Sequence, residues 1–413
     1  MSFEMDFHFH RLSALVLALG LAALPACGDD DGGDGGGDPD AGMDAGMGGL
    51  PANAAAAVAT YGEIVRASYE DSLAAAGEMD TALQALVDDP SATTLEAAQQ
   101  AWLDARVPYL QTEVYRFYDG PIDGDEGDPE GLINAWPMDE MTVDYVDGMP
   151  EAGRINDMTF DITTEALAGA NGEAGEADVA AGWHPIEFLL WGQDLTPPAD
   201  LMPGQRSFED YSTADNADRR GDYLMTASDL LQENLQFLVD SWAATGNTYR
   251  TQQEDADPAV GLTRILTGLI VLAGFETAGE RLQAALDEGD QEEEHSCFAD
   301  NTHNDMLYDV IGIQNVWTGT YARTDGTTTV SGTSISDVVR EVDSALAASI
   351  DTQVGVAVTA AMGLQAPFDN EILPTNADGN ARVQTLIDEL RELESLFTDV
   401  FVEFGFTVPP DAL

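Results

Sequence analysis

A histidine and a glutamate stand three residues apart in the run Gly182-Trp183-His184-Pro185-Ile186-Glu187-Phe188-Leu189-Leu190-Trp191-Gly192. Residues at that spacing share one face of a helix, so an imidazole nitrogen and a carboxylate can converge on one point. Pro185 suits the first helical position, where its missing N–H would have no partner anyway. That puts His184 at the helix start and Glu187 nearly one turn in. Gly182 lets another segment come close. Glu187 is surrounded by Ile186, Phe188, Leu189, Leu190 and Trp191, and a carboxylate there needs a partner to stay ionised. The chemistry on offer is metal ligation through one nitrogen and one oxygen. Spacing alone fits a second reading better, a histidine at a helix end beside a paired glutamate.

Two side chains cannot close a metal site, so other ligands must come from elsewhere in the chain. Arg106, Tyr109, Glu113 and Arg116 recur at helical spacing in a stretch that also holds Trp102, Leu110, Val114 and Phe117. Glu113 is the expected third ligand; the alternative is an ion pair from Glu113 to Arg116 on a solvated face. Asp123, in a Gly-Pro-Ile-Asp turn, is a further candidate. In the second half His295, Cys297 and His303 have the donor types for a soft or borderline metal. Asp300 or Asn301 serves there either as an oxygen ligand or as the cap of a helix beginning near Thr302, and capping is the preferred reading. Asp305 and Asp309 share a face of that helix with no assigned partner.

These residues need helices to position them. Val58, Tyr61, Val65, Tyr69 and Leu73 recur at steps of three and four, which predicts a helix over 53–87. A second helix is expected from a Thr93/Glu96 capping box through a kink near Pro108 to Tyr118, stopping at Gly120-Pro121. The Gly, Pro and Asp rich stretch 123–175 predicts irregular structure with one or two short helices. Further helices are expected from Pro185, over 217–244, 258–286, 302–320, 336–362 and 380–404. A small hairpin fits 324–333. The apolar centre 265–275, flanked by Arg264 and Glu276, reads as a buried core helix rather than a membrane span. The fold class is all-α: two packed helical bundles over 53–250 and 251–413, since this length exceeds one ordinary core.

Acidic residues number 76 against 15 basic ones, and every basic residue is arginine. Phosphate binding needs a basic face, so a nucleic-acid partner is excluded. The acidic excess reads as solubility with a weak general pull on cations. The run 287–294 reads as solvated loop. At the N-terminus Arg11 precedes an apolar run over 12–23, too short to span a bilayer permanently, and 1–26 reads as a signal peptide. Leu24-Pro25-Ala26-Cys27 resembles the lipobox of bacterial lipoproteins, which implies acylation of Cys27 and a lipid anchor in the cell envelope, on the outer membrane. The Asp/Gly composition of 27–52 then makes a solvated tether. With Cys27 lipidated, Cys297 has no partner for a disulfide.

The segment GWHPIEFLLWGQD resembles the GxHxxE motif of the imelysin-like family, which includes insulin-cleaving membrane proteases and iron-regulated outer-membrane proteins. AWLDARVPYLQTEVYRFYDGPID, over 101–123, and EEHSCFADNTHNDMLYDVIGIQNVWTG, over 293–319, resemble the same family, the latter most closely its iron-regulated protein A branch. Three separated motifs agree. Pro185 is a departure, at a position where a small residue is expected. The resemblance implies two helical bundles, a metal site using His184 and Glu187, and a setting in iron uptake. Iron is the expected metal, divalent or ferric, with zinc as the alternative. The expected ligand is a bare ion or a metal chelate, with iron-uptake proteins as partners. A metallopeptidase is the competing function; it needs a general base beside a metal-bound water. The sequence carries neither HExxH nor HxxEH, and a glutamate that ligates the metal is not free to be that base. A third reading is a partner-docking protein in which His184 and Glu187 only hold the bundles together.

Overall fold

Apolar residues at three- and four-residue steps become buried helix faces along most of the chain, so that Val58, Tyr61, Val65 and Tyr69 are all inside. The computed structural model describes residues 50–124 and 129–410. The signal peptide, Cys27 and almost all of the expected tether lie outside the described residues. The helices are α1 (Ala54–Asp88), α2 (Ala92–Leu110), α3 (Glu130–Ile133), α4 (Thr164–Ala170), α5 (Trp183–Trp191), α6 (Ala217–Ser241) and α7 (Pro258–Val271). A π-helical stretch, Leu272–Gln283, continues α7 into α8 (Ala284–Glu288). Then come α9 (Thr302–Thr318), α10 (Ile335–Val342), α11 (Ser344–Ala361), α12 (Phe368–Ile372) and α13 (Ala377–Phe404). Between α9 and α10, β1 (Thr320–Ala322) and β2 (Thr329–Ser331) form one antiparallel hairpin. The protein is all-α.

One group of helices packs α1 against α2 and α6, with α5 across α2 and α6. The other packs α13 against α11 and the π stretch, with α9 beside α11. Contacts of α1 with α7 and of α2 with α9 join the groups, and their buried side chains form one continuous core. Gly312 of α9 lies against the Gln111 carbonyl at the end of α2, 2.7 Å from where a Cβ would stand. The helix Pro258–Glu288 is long and apolar enough to cross a membrane, yet its Leu262, Ile265, Leu266, Leu269 and Ile270 are buried in the core.

Four local expectations are corrected. The capping box of α2 is made by Ser91 and Thr94, not by Thr93 and Glu96. The α-helical part of α2 ends at Leu110, two residues after Pro108, instead of reaching Tyr118. Proline lacks the N–H that would continue the ladder, and the chain passes through a 3-10 turn, Glu113–Tyr115, to left-handed backbone at Phe117 and Asp119. Helix α5 starts at Trp183 rather than Pro185, which leaves Pro185 still within the first turn. The single helix expected over 336–362 is two: Asp343 ends α10 and caps α11 by accepting from the Ala345 and Leu346 N–H groups.

Candidate metal centre

Helix α5 holds His184 and Glu187 at its N-terminal end, both fully buried. Gly182, the residue before it, has φ 99°, and a Cβ there would collide with the Ile133 carbonyl. Trp102 of α2 donates its indole N–H to the Trp183 carbonyl at 3.1 Å, which fixes the start of α5 against α2.

His184 Nδ1 lies 2.9 Å from Glu187 Oε2, and Glu187 Oε1 accepts the Ala299 N–H at 3.0 Å. The distance fits an ion pair, but the surroundings do not support one. Burial, then His295 and Arg106, drive His184 well below its ordinary pKa, and burial raises Glu187 well above its own. Both partners are held neutral, so the contact is a hydrogen bond between uncharged groups. His184 Nε2 is buried with no hydrogen-bond partner among the described residues.

The second histidine of the site is His295. Its ring is 4.9 Å from that of His184, edge to face, and the Trp136 ring lies 4.8 Å from that of His184. His295 repeats the arrangement of His184: its Nδ1 is 2.7 Å from Asp305 Oδ2. Burial and Arg281 lower its pKa to about 4. Arg106 donates to Asp305 at 3.0 Å and to Asn134 at 2.6 Å. Its guanidinium lies among the rings of Trp102, Tyr109 and Trp183. Burial favours the neutral form of Asp305, but Arg106 and His295 outweigh it and hold the carboxyl well below the usual range.

Glu113 is drawn elsewhere. Its Oε2 accepts from Arg116 at 2.7 Å and from Arg281 at 2.6 Å. The ion pair with Arg116 is therefore present, though inside the protein rather than on a solvated face. The two cations hold Glu113 well below its ordinary pKa despite burial. Glu113 reaches the histidines only through Asn134, whose amide lies 3.4 Å from Glu113 and 3.5 Å from His295 Nε2. Asp123 accepts the Phe117 and Gly120 N–H groups and so pins the turn after α2. Arg281 also binds Asp309 at 2.9 Å. Asp305 and Asp309 thus acquire partners on other helices, which one helix's spacing could not reveal. A cleft of about 570 Å³, lined by Arg116, Asn134, Trp136, Glu276, Arg281 and His295, opens onto this network.

In the segment 295–303 only His295 joins His184. Cys297 is buried and free, and His303 makes no hydrogen bond through Nδ1. The capping reading holds by position only: Asn301 is the N-cap of α9 but makes no side-chain cap bond, and both Asp300 oxygens lack a hydrogen-bond partner among the described residues. Asn134, Asp305, Arg281 and Ser296, which donates to Asp305, are site residues the sequence did not single out as such.

The imelysin family model (Peptidase_M75) matches residues 65–397. Iron-regulated protein A of Synechococcus elongatus is 25% identical over 320 residues, 75% of this chain and 75% of that protein. A solved structure named for an iron-regulated protein A precursor from Parabacteroides distasonis superposes with a TM-score of 0.62. It is 18% identical and covers 87% of this chain and 97% of that one. An imelysin-like protein from Psychrobacter arcticum gives a TM-score of 0.59 at 16% identity, over 86% and 98% of the two chains. At these identities the two solved structures speak for the fold.

Proposed function

This chain belongs to the imelysin family, and on that premise we propose that it is an exported, lipid-anchored metal-binding protein linked to iron, acting in uptake or sensing rather than peptide cleavage. The observation that carries the reading is His184: a buried neutral imidazole whose Nδ1 is held by Glu187 while Nε2 has no partner. A carboxyl oxygen that accepts from one ring N–H orients the other nitrogen for a metal, and a neutral imidazole is the ligating form. His295 stands beside it with Nδ1 held by Asp305, while its Nε2 faces the Asn134 amide at 3.5 Å. The residues fit a metal, with His184 and His295 as nitrogen donors and the Glu187 carboxyl group orienting His184. Glu113, tied to two arginines, is better suited to neutralising Arg281 than to ligating.

Iron-regulated protein A, the name of the relative from Synechococcus elongatus, supports iron as the metal; imidazole donors also admit zinc. Against peptidase chemistry, Glu187 is hydrogen-bonded at both oxygens and is not free to serve as a general base. The lipobox at Cys27 supports anchoring in the cell envelope, on the outer membrane, with the ligand a metal ion or chelate and iron-uptake proteins as partners. The test is metal titration of the full chain with iron and with zinc, beside a peptide-cleavage assay. His184→Ala and His295→Ala should each lower affinity at least tenfold with unchanged far-ultraviolet circular dichroism. Unchanged affinity in both variants, with metal still bound, sinks the proposal.

A further inference from the structure

Buried carboxylates in this protein follow a rule. Apart from Glu187, which meets His184, each one outside a single cluster has an arginine at 3.5 Å or less among the described residues. The exception is a group formed by Asp194, Glu294, Asp300 and Asp369. Oxygens of Asp194, Asp300 and Asp369 lie within 4.8 Å of one another, and all three residues are buried. Two oxygens that each sit about 2.4 Å from one calcium ion are at most about 4.8 Å apart. The spacing suits ligands of a single cation.

The independent sign of a missing partner is the state of the individual oxygens. Both oxygens of Asp300, 4% exposed, lack a hydrogen bond, and so does Asp369 Oδ2. Glu294, fully buried, likewise has neither oxygen satisfied; the Thr302 hydroxyl lies beside it without hydrogen-bond geometry, and its strongest charged neighbours are Asp300 and Asp369. Arg382, which reaches α12, pairs with Glu371 and not with Asp369. Asp194 is the one well-held member: Thr196 donates to its Oδ1 at 2.9 and 2.7 Å, and Gln291 fixes its carbonyl at 2.7 Å. Unpaired charges packed together out of water are strongly unfavourable, and a cation removes both penalties.

We infer that Asp194, Asp300 and Asp369, with Glu294 behind them, form a second cation site, separate from His184, that takes a hard divalent ion of the calcium type. The donor set is all oxygen, with no nitrogen or sulfur among the converging atoms, which disfavours zinc and the softer metals. The site joins three parts of the chain: the exit from α5, the loop before α9, and α12. The loop 294–301 therefore serves two centres, with His295 and the Ala299 N–H toward His184 and Glu187, and Glu294 and Asp300 toward the acidic cluster.

The test uses calorimetric calcium titration and thermal unfolding of the full chain, in EDTA and in millimolar calcium, at moderate NaCl to suppress loose counter-ions. Wild type should bind one calcium per chain and unfold several degrees higher with calcium. Asp300→Asn and Asp369→Asn should each lose at least tenfold in affinity and most of that shift. Asparagine tolerates the left-handed backbone of Asp300 (φ 53°), so the exchange keeps the loop conformation. In EDTA, Asp300→Asn should be at least as stable as wild type, because it removes a buried acid that has no partner there; a loss of structural stability there instead would mark a purely structural role. His184→Ala should keep the calcium response whole, which separates this site from the one proposed above. The inference is overturned if both Asn variants retain wild-type affinity, or if their calcium response is no smaller than that of Asp287→Asn, an exposed control that should respond as wild type does.

Discussion

Glu254 closes the π-helical turn Arg250–Glu254 and is fully buried, with the Tyr249 hydroxyl at 3.2 Å and Arg264 at 3.5 Å. Burial outweighs both and lifts its carboxyl to about 7. The folded state then holds a proton that the unfolded chain gives up near the ordinary glutamate value. Stability contributed by that proton is full below this value and is lost as pH rises toward 7. Glu254→Gln should flatten that part of the profile, gaining roughly 2–4 kcal/mol over wild type at pH 8 relative to pH 4. Urea denaturation at the two pH values checks it; an equal change at both would contradict the assignment. Glu113 behaves oppositely because Arg116 and Arg281 face it. Arg281→Ala leaves Glu113 and Asp309 short of their shared cation, and should cost about 3–5 kcal/mol. A loss below about 1 kcal/mol in denaturant would mean the two acids find other partners.

Helix α2 shows where reading by element succeeds and where it stops. Its existence follows from periodicity and a capping signal, yet the box sits at Ser91 and Thr94, because Ser91 supplies the capping hydroxyl two positions before the expected threonine and the Thr94 hydroxyl takes the part expected of Glu96. Ser91→Ala should cost about 1 kcal/mol in denaturant, while Thr93→Ala and Glu96→Ala should cost far less; a larger loss at Thr93 would restore the expected register. His184 and Glu187 were legible because the pair is local. His295 was legible as a donor but not as the neighbour of His184, since 111 residues of chain separate them and only packing joins them. Asp305 and Asp309 were visible as a face without partners, and the arginines that complete them come from α2 and the π stretch. That stretch was read as ordinary helix. In π geometry residues five apart align, which is how Glu276 meets Arg281 at 2.8 Å, and an apolar pattern flanked by charges carries no mark of the wider turn.

At the scale of the whole molecule, a formal net charge of −61 surrounds a core whose cations are used internally. Every described arginine is engaged: thirteen in ion pairs, and Arg219 with four backbone carbonyls. Self-repulsion of the acidic surface is screened by salt, whereas buried pairs are screened much less. The unfolding temperature should therefore rise with NaCl from low to molar concentration, measured in EDTA so that divalent ions do not contribute; a falling temperature would show that exposed ion pairs dominate instead. The same use of arginine has a consequence for cleavage. Proteases of trypsin specificity need a lysine or arginine in their binding pocket, and they cut where backbone is accessible. This chain has no lysine, and its most exposed arginine side chains in ion pairs, Arg66, Arg340 and Arg391, all lie within helices. Between Arg11 and Arg66 there is no basic residue at all, so an enzyme of that specificity finds no point at which to cut the helical body from the Asp/Gly segment that precedes it.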